Sequence, residues 1–226
     1  MTDAPLAGTA SQTLEELKPL WPSGWLSTHT LLPALVIIVF IGLVLPEKTI
    51  TYPPGIRMAA EPVQIAMPEG TVIVLDNYNL KALASYNLKG RVLAKRRYYF
   101  DRESEISPMD LTVGWKEMSD TAMLEHFSIR LSGRYYTSRF DKPPLRYHLS
   151  PEGINSHMSN THLIPADEEV ERAMNAIRVG DIVSLDGYLV RAEGPEGYEW
   201  TSSLTREDSG HASSELMYVK HIGISP

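Results

Sequence analysis

The sequence predicts a mainly β protein of the α+β class, tethered by one N-terminal transmembrane helix. Three observations predict it. Leu31 to Leu45 read LLPALVIIVFIGLVL, with no charge inside the run. Beyond residue 70, stretches rich in Val, Ile, Leu and Tyr are punctuated by Gly, Asn and Asp. A single helical pattern follows Pro165.

Extended back to Trp25, the apolar run covers about 20 residues, or roughly 30 Å at a 1.5 Å rise, which matches a bilayer's hydrocarbon core. Trp21 and Trp25 stand where indoles favour the membrane interface, and Lys18, Glu47 and Lys48 mark the edges. Pro33 falls in the first turn of the span, where a missing N–H does little harm. A cleaved signal peptide fits poorly, because the leader carries Asp3, Glu15 and Glu16 against Lys18, and Leu45-Pro46-Glu47-Lys48 offers no small-residue cleavage site. The organisation expected is a flexible tail over 1–24, a transmembrane helix over 25–45, a Pro-rich connector over 46–70 and a soluble β-rich domain over 71–226. A short helix is expected in the tail over Thr13 to Lys18. The connector holds Pro46, Pro53, Pro54, Pro62 and Pro68, a composition that favours extended, stiff chain. Basic residues nearly balance across the span, with Lys18 before it and Lys48 and Arg57 after. A short tail before a single span ordinarily stays in the cytoplasm. The expected location is therefore a bacterial inner membrane, single-pass, with the C-terminal domain in the periplasm.

Strands are expected over Thr71 to Leu75, Leu88 to Phe100, Phe127 to Leu131 and Arg134 to Tyr136, the last two joined by a Ser132-Gly133 turn. Ile182 to Val190, Glu199 to Leu204 and Glu215 to Val219 complete the set. The helix opens at Pro165-Ala166-Asp167, with Glu168 and Glu169 in its first turn, where the helix dipole favours negative charge. Val170, Ala173, Met174 and Ile177 fall at i, i+3, i+4 and i+7, so one face packs on the sheet. A weaker helix is expected from Ser119 through His126. The sum is a small antiparallel, OB-like β-barrel with one packed helix.

The formal net charge of −7 argues against a general nucleic-acid binder. Lys95-Arg96-Arg97, followed by Tyr98-Tyr99-Phe100, is the local exception and reads as the solvated face of a strand. The chain has no cysteine, which excludes disulfides, thiol catalysis and Cys-based zinc sites. It also lacks a phosphate-binding P-loop, G-x-G-x-x-G, G-x-S-x-G and S-x-x-K. No cofactor is expected.

Two polar stretches hold the candidate chemistry. Tyr147 to Ala166 concentrates His148, His157 and His162 with Asn155 and Asn160. The offset of five between His157 and His162 separates them on either a strand or a helix, so the segment reads as a long loop whose side chains satisfy backbone groups. Thr201 to His211 carries Arg206, Asp208 and His211 in a turn-rich sequence. The catalytic candidates are accordingly His157, Asn160, His162, Arg206, Asp208 and His211, and no metal ligands are assigned. Trp115 and Trp200 read as packing residues.

Three runs resemble a family of bacterial, often single-span membrane-anchored proteins of unestablished function. They are Asp110-Leu111 with Gly114-Trp115 and Met118-Ser119-Asp120; Ser159-Asn160-Thr161-His162-Leu163-Ile164-Pro165-Ala166; and Gly180-Asp181 through Gly187-Tyr188-Leu189-Val190 into Ser203-Leu204-Thr205-Arg206-Glu207-Asp208-Ser209-Gly210. The resemblance covers roughly residues 85–222. That family's pattern continues Gly-Ala-Cys-Glu, where this chain has Ala212-Ser213-Ser214-Glu215, with serine at the cysteine position. The resemblance implies one coherent domain and no particular activity.

The functional expectation is an accessory or interaction protein in a membrane-associated complex or homo-oligomer, without nucleic acid. The alternative is a membrane-anchored, metal-dependent, phosphodiesterase- or nuclease-like hydrolase using residues 155–162.

Overall fold

A computed structural model describes residues 49–68, 70–140, 151–205 and 214–225. The expected tail and transmembrane helix lie outside these residues, as do Arg206, Asp208 and His211. Among the described residues no helix is long and apolar enough to cross a membrane.

The domain is mainly β. Its organising element is β3 (Tyr78–Arg97), a 20-residue strand in which Tyr78, Leu80, Ala82, Ala84, Tyr86 and Leu88 are buried and the residues between them face outward. Strict alternation of this kind marks a sheet with one face on the core. One side of β3 pairs with β8 (Ile182–Glu193). The other side pairs in turn with β2 (Val72–Leu75), β1 (Val63–Ala66) and β4 (Met109–Gly114). Register shifts at Ala82/Ala84 and Val92/Ala94 let so long a strand curve.

The curvature closes a ring. β4 pairs with β7 (Met158–Pro165), β7 with β10 (Glu215–Ser225), β10 with β8, and β8 returns to β3. A short strand, β9 (Glu199–Thr201), extends β8 on its outer side. The barrel is not wholly antiparallel as expected, because β7 and β10 run parallel. A parallel pair requires a crossover rather than a hairpin. Here the chain leaves β7 through a helix and traverses β8 before returning as β10.

That crossover helix is the one the periodicity predicts, Glu168–Ala176. The Asp167 carboxylate caps it by accepting from the Val170 N–H, and Val170, Met174 and Ile177 are buried in the main core with Leu111, Leu163, Leu185 and Met217. The weaker expected helix is a single turn, α1 (Thr121–Leu124), capped by Asp120. A second turn, α2 (Pro151–Asn155), leads into β7, and the crossover helix is α3.

Part of the stretch read as a free connector is structured. It contributes β1, and Ile50 N–H donates to the Val179 carbonyl. Gly55 N–H donates to Asp120, and Ser119 Oγ accepts from the N–H groups of Arg57 and Met58. Proline removes donors from such a segment, and the remaining N–H groups find acceptors on the barrel.

β5 (Phe127–Ser132) and β6 (Tyr135–Phe140) form a separate two-stranded hairpin. Its turn falls one residue later than expected, with Gly133 and Arg134 both at positive φ, the geometry of a type I′ turn.

Candidate functional site around His162

The segment expected as a polar loop is in large part the central strand β7. Its residues 158–164 are all buried, although Ser159, Asn160, Thr161 and His162 are polar. Such a strand is stable only if each polar group finds a partner. Alternation sorts them. Ser159 meets Thr161 at 3.0 Å and also bonds Glu215 on one face, while Asn160 and His162 share the other.

On that second face His162 stands directly opposite Asp110 of β4 in the register. Its Nδ1 lies 2.8 Å from Asp110 Oδ1, and the Asp110 side chain is fully buried. This contact orients the imidazole and leaves Nε2 without a partner among the described residues. The Trp200 ring leans on His162 at 4.8 Å between centroids and 52° between planes.

The cation that balances Asp110 comes from the hairpin tip. Arg134 donates from Nη1 to Asp110 Oδ1 at 3.0 Å and to the Ser107 carbonyl at 2.8 Å. Its Nε and Nη2 grip Asp101 at 2.9 and 2.8 Å, and its guanidinium stacks 3.8 Å from the Tyr98 ring centroid. Asn160 Nδ2 donates to the Arg134 carbonyl at 3.2 Å and to Ser214 Oγ at 3.1 Å. Charge-assisted, bidentate contacts of this kind are strong, and they fix Arg134 at φ +70, a conformation unusual outside glycine.

The Arg134 hydrogen bonds hold the Asp101 carboxyl below its ordinary range. Burial pushes the Tyr98 phenol up, and the Asp110 charge reinforces the shift. Burial opposes the charge on Arg134, but its hydrogen bonds and the Asp101 and Asp110 charges outweigh it and raise its pKa.

The network walls a cavity of about 310 Å³ lined by Asp101, Glu103, Arg134, Tyr135, His162 and Trp200 among others. That is the lower end of small-ligand sites. Among the described residues Asp101, Glu103 and Asp110 set three carboxylates against the Arg134 guanidinium, a balance suited to a neutral or cationic group. An oriented imidazole facing such a space can accept or deliver a proton.

Of the sequence candidates, the structure brings Asn160 and His162 together around Arg134. His157 is elsewhere, with Nδ1 2.7 Å from Glu117 Oε2, just before β7 begins. Ser203 N–H donates to the Ser214 carbonyl, so the described flanks of the 206–213 segment meet. Among the described residues no three His, Asp or Glu side chains converge in a metal-binding group. Trp115 is wholly buried in the core, as expected, while Trp200 packs on the site.

Sequence reasoning missed Asp101, Asp110 and Arg134. One signal was present: Asp110 interrupts the apolar run Met109 to Val113, and a charge inside a strand asks for a partner. Comparison of the chain with protein-family models, with curated proteins and with solved structures finds no match.

Proposed function

We propose that this chain is a single-pass accessory subunit of a membrane-associated complex, anchored by residues 25–45, whose domain docks an apolar protein segment on its first two strands. The barrel's strand order, β3-β4-β7-β10-β8 with a helix between its third and fourth strands, supports the OB-like reading, a scaffold used mainly for binding. In this reading the domain faces the periplasm from a bacterial inner membrane.

One observation carries the interaction reading. Val63, Ile65, Val72 and Val74 are 56, 62, 48 and 73% exposed on β1 and β2. Each of these strands pairs only with β3 among the described residues, so each presents a free edge. Soluble proteins blunt such edges with charge or proline. An uncharged β-branched edge suits an extended partner segment that adds to the sheet.

The test uses the full chain in its native membrane with a photo-crosslinking residue at 65 or 74, and at Lys89 as an exposed control on the same face of β3. A single adduct of fixed mass from 65 and 74, with the adduct from 65 lost on Val74→Lys, supports the reading. Equal crosslinking from position 89, or none, overturns it.

A second reading, hydrolysis, rests on the Asp110–His162 contact and its cavity. The carboxylate excess there favours a neutral or cationic substrate over a phosphodiester. His162→Gln abolishing turnover of an ester or amide library by the purified chain would support it, and equal rates would remove it.

A further inference from the structure

A second cavity lies on the other side of the hairpin and does not touch the His162 network. It measures about 240 Å³ and is lined by Arg91, Leu93, Leu124, Phe127, Ile129 and Val179, among others. Thr49 and Thr51, which follow closely on the apolar run in the sequence, complete part of its wall. Engineered cavities of about 150 Å³ already admit benzene.

Its unusual feature is Arg91. The residue is 4% exposed; among the described residues no carboxylate contacts it, and the Asp120 charge acts on it from beyond contact distance. Its Nη1 donates to Thr121 Oγ1 at 2.8 Å and to the Ser119 carbonyl at 3.3 Å, and Nη2 donates to the Ile50 carbonyl at 3.3 Å. Nε is buried with no partner. Three of five N–H groups are therefore used, leaving Nε–H and one on Nη2. Tyr52 lies 5.0 Å from the guanidinium and contributes a ring face but no charge. Arg57 lies over the same ring at 4.9 Å, adding a second cation. A buried charge with no counter-ion in contact is costly, and here the Arg91 and Arg57 guanidiniums stand against the Asp120 carboxylate. Burial accordingly lowers the Arg91 pKa.

The space beside Arg91 continues. A neighbouring cavity of about 440 Å³ shares Leu93, Ile129 and Val179 with the first and adds Ala94 and Leu131. Its polar margin is basic, with Lys95, Arg96 and Arg130, while Glu125 at the rim of the first cavity is the acidic group in either wall. The whole is an apolar trough between β3 and the hairpin, with a buried cation at one end that no carboxylate contacts among the described residues.

We propose that this trough binds a single-chain anionic amphiphile, a fatty carboxylate, with its head at Arg91 and its chain along Leu93, Ile129 and Val179. Arg91 and Arg57 against Asp120 leave an excess of one cation, which matches one monoanion. The volume of about 240 Å³ beside Arg91 suits one acyl chain better than the two of a phospholipid. The inference is independent of the docking edge and of the His162 site.

The test is equilibrium binding of dansyl-labelled undecanoate to the full chain in phosphatidylcholine nanodiscs, with empty nanodiscs subtracted. The expected result is a saturable component displaced by dodecanoate but not by dodecyltrimethylammonium or inorganic phosphate. Ile129→Trp, which fills the trough and keeps the charge, should weaken it at least tenfold. Arg91→Met should do the same, and if that variant fails to fold, Ile129→Trp decides. The absence of a saturable component overturns the proposal. So does unchanged binding by a folded Ile129→Trp variant, equal displacement by the cationic amphiphile, or displacement by phosphatidylglycerol nanodiscs in preference to dodecanoate.

Discussion

Arg134 grips Asp101 with two parallel hydrogen bonds, Nε to Oδ2 at 2.9 Å and Nη2 to Oδ1 at 2.8 Å, from the tip of a hairpin that pairs with no other strand among the described residues. An isolated two-stranded hairpin is marginal in water. This one is held by the burial of Phe127 and Leu131, by Arg96 donating to the Leu131 carbonyl at 2.9 Å, and by the Arg134 anchor. The same guanidinium neutralises Asp110 behind His162. Docking of the hairpin and integrity of the site are thus one structural event.

Replacement of Arg134 should therefore loosen both. Arg134→Ala leaves the Asp110 carboxylate buried beside His162 and Tyr98 without its guanidinium, and removing one member of a buried pair costs about 3–5 kcal/mol. Arg134→Lys keeps the charge but not the planar fork, so it should recover less than half of that loss. Urea denaturation of both variants checks the magnitude, and limited proteolysis within residues 127–140 checks the loosening. A Lys variant as stable as the parent would show that charge alone docks the hairpin.

The two acidic partners should differ in consequence. The Asp110 side chain is fully buried, whereas that of Asp101 is 34% exposed. Water replaces a lost contact at Asp101 but not at Asp110. Asp110→Asn should cost about 1–3 kcal/mol, and Asp101→Asn under about 1 kcal/mol. Thermal unfolding of the two variants in parallel gives the order, and the reverse order would contradict the burial argument.

Asp101 also sets an acid limit. Its folded pKa lies below its ordinary value of 3.8. The unfolded chain therefore takes up its proton first as pH falls. The contribution is fully present above about pH 4 and is lost as pH drops through the depressed folded value. The melting temperature of the parent should decline more steeply on acidification below pH 4 than that of Asp101→Asn. Parallel curves would remove Asp101 from the acid limb.

Gly180 joins the barrel to the segment at Ile50. Its φ is +97, and a Cβ there would overlap the Ile50 carbonyl. Gly180→Ala combines backbone strain with overlap and should cost roughly 1–3 kcal/mol. It should also speed hydrogen exchange at the Ile50 amide, which donates to Val179. Ile50 also accepts from Arg91, so the variant tests how that arginine is held.

Several elements were legible in the sequence because their signals are local. The apolar spacing and the Asp167 cap identify α3 within a residue or two, and Ser132-Gly133 marks the hairpin turn to within one residue. The strands over 71–75, 127–131 and 182–190 correspond to β2, β5 and most of β8. β7 was not legible. Ser159, Asn160, Thr161 and His162 give it the composition of a loop, and it is buried because partners on other elements satisfy those side chains. β1 hid in a proline-rich stretch for a similar reason, since β3 supplies its pairing.

The sequence by itself determined a β-rich domain, one packed helix, a tight hairpin turn and an apolar run long enough to span a bilayer. Each follows from side-chain periodicity, turn chemistry or hydropathy over a few neighbouring residues. Only the tertiary structure decided which polar groups meet. Asp110 and His162 are 52 residues apart, and Arg134 lies 24 residues from Asp110. Strand register and barrel closure bring them within hydrogen-bond distance. Those depend on where every strand finds its neighbour, so no local pattern encodes them.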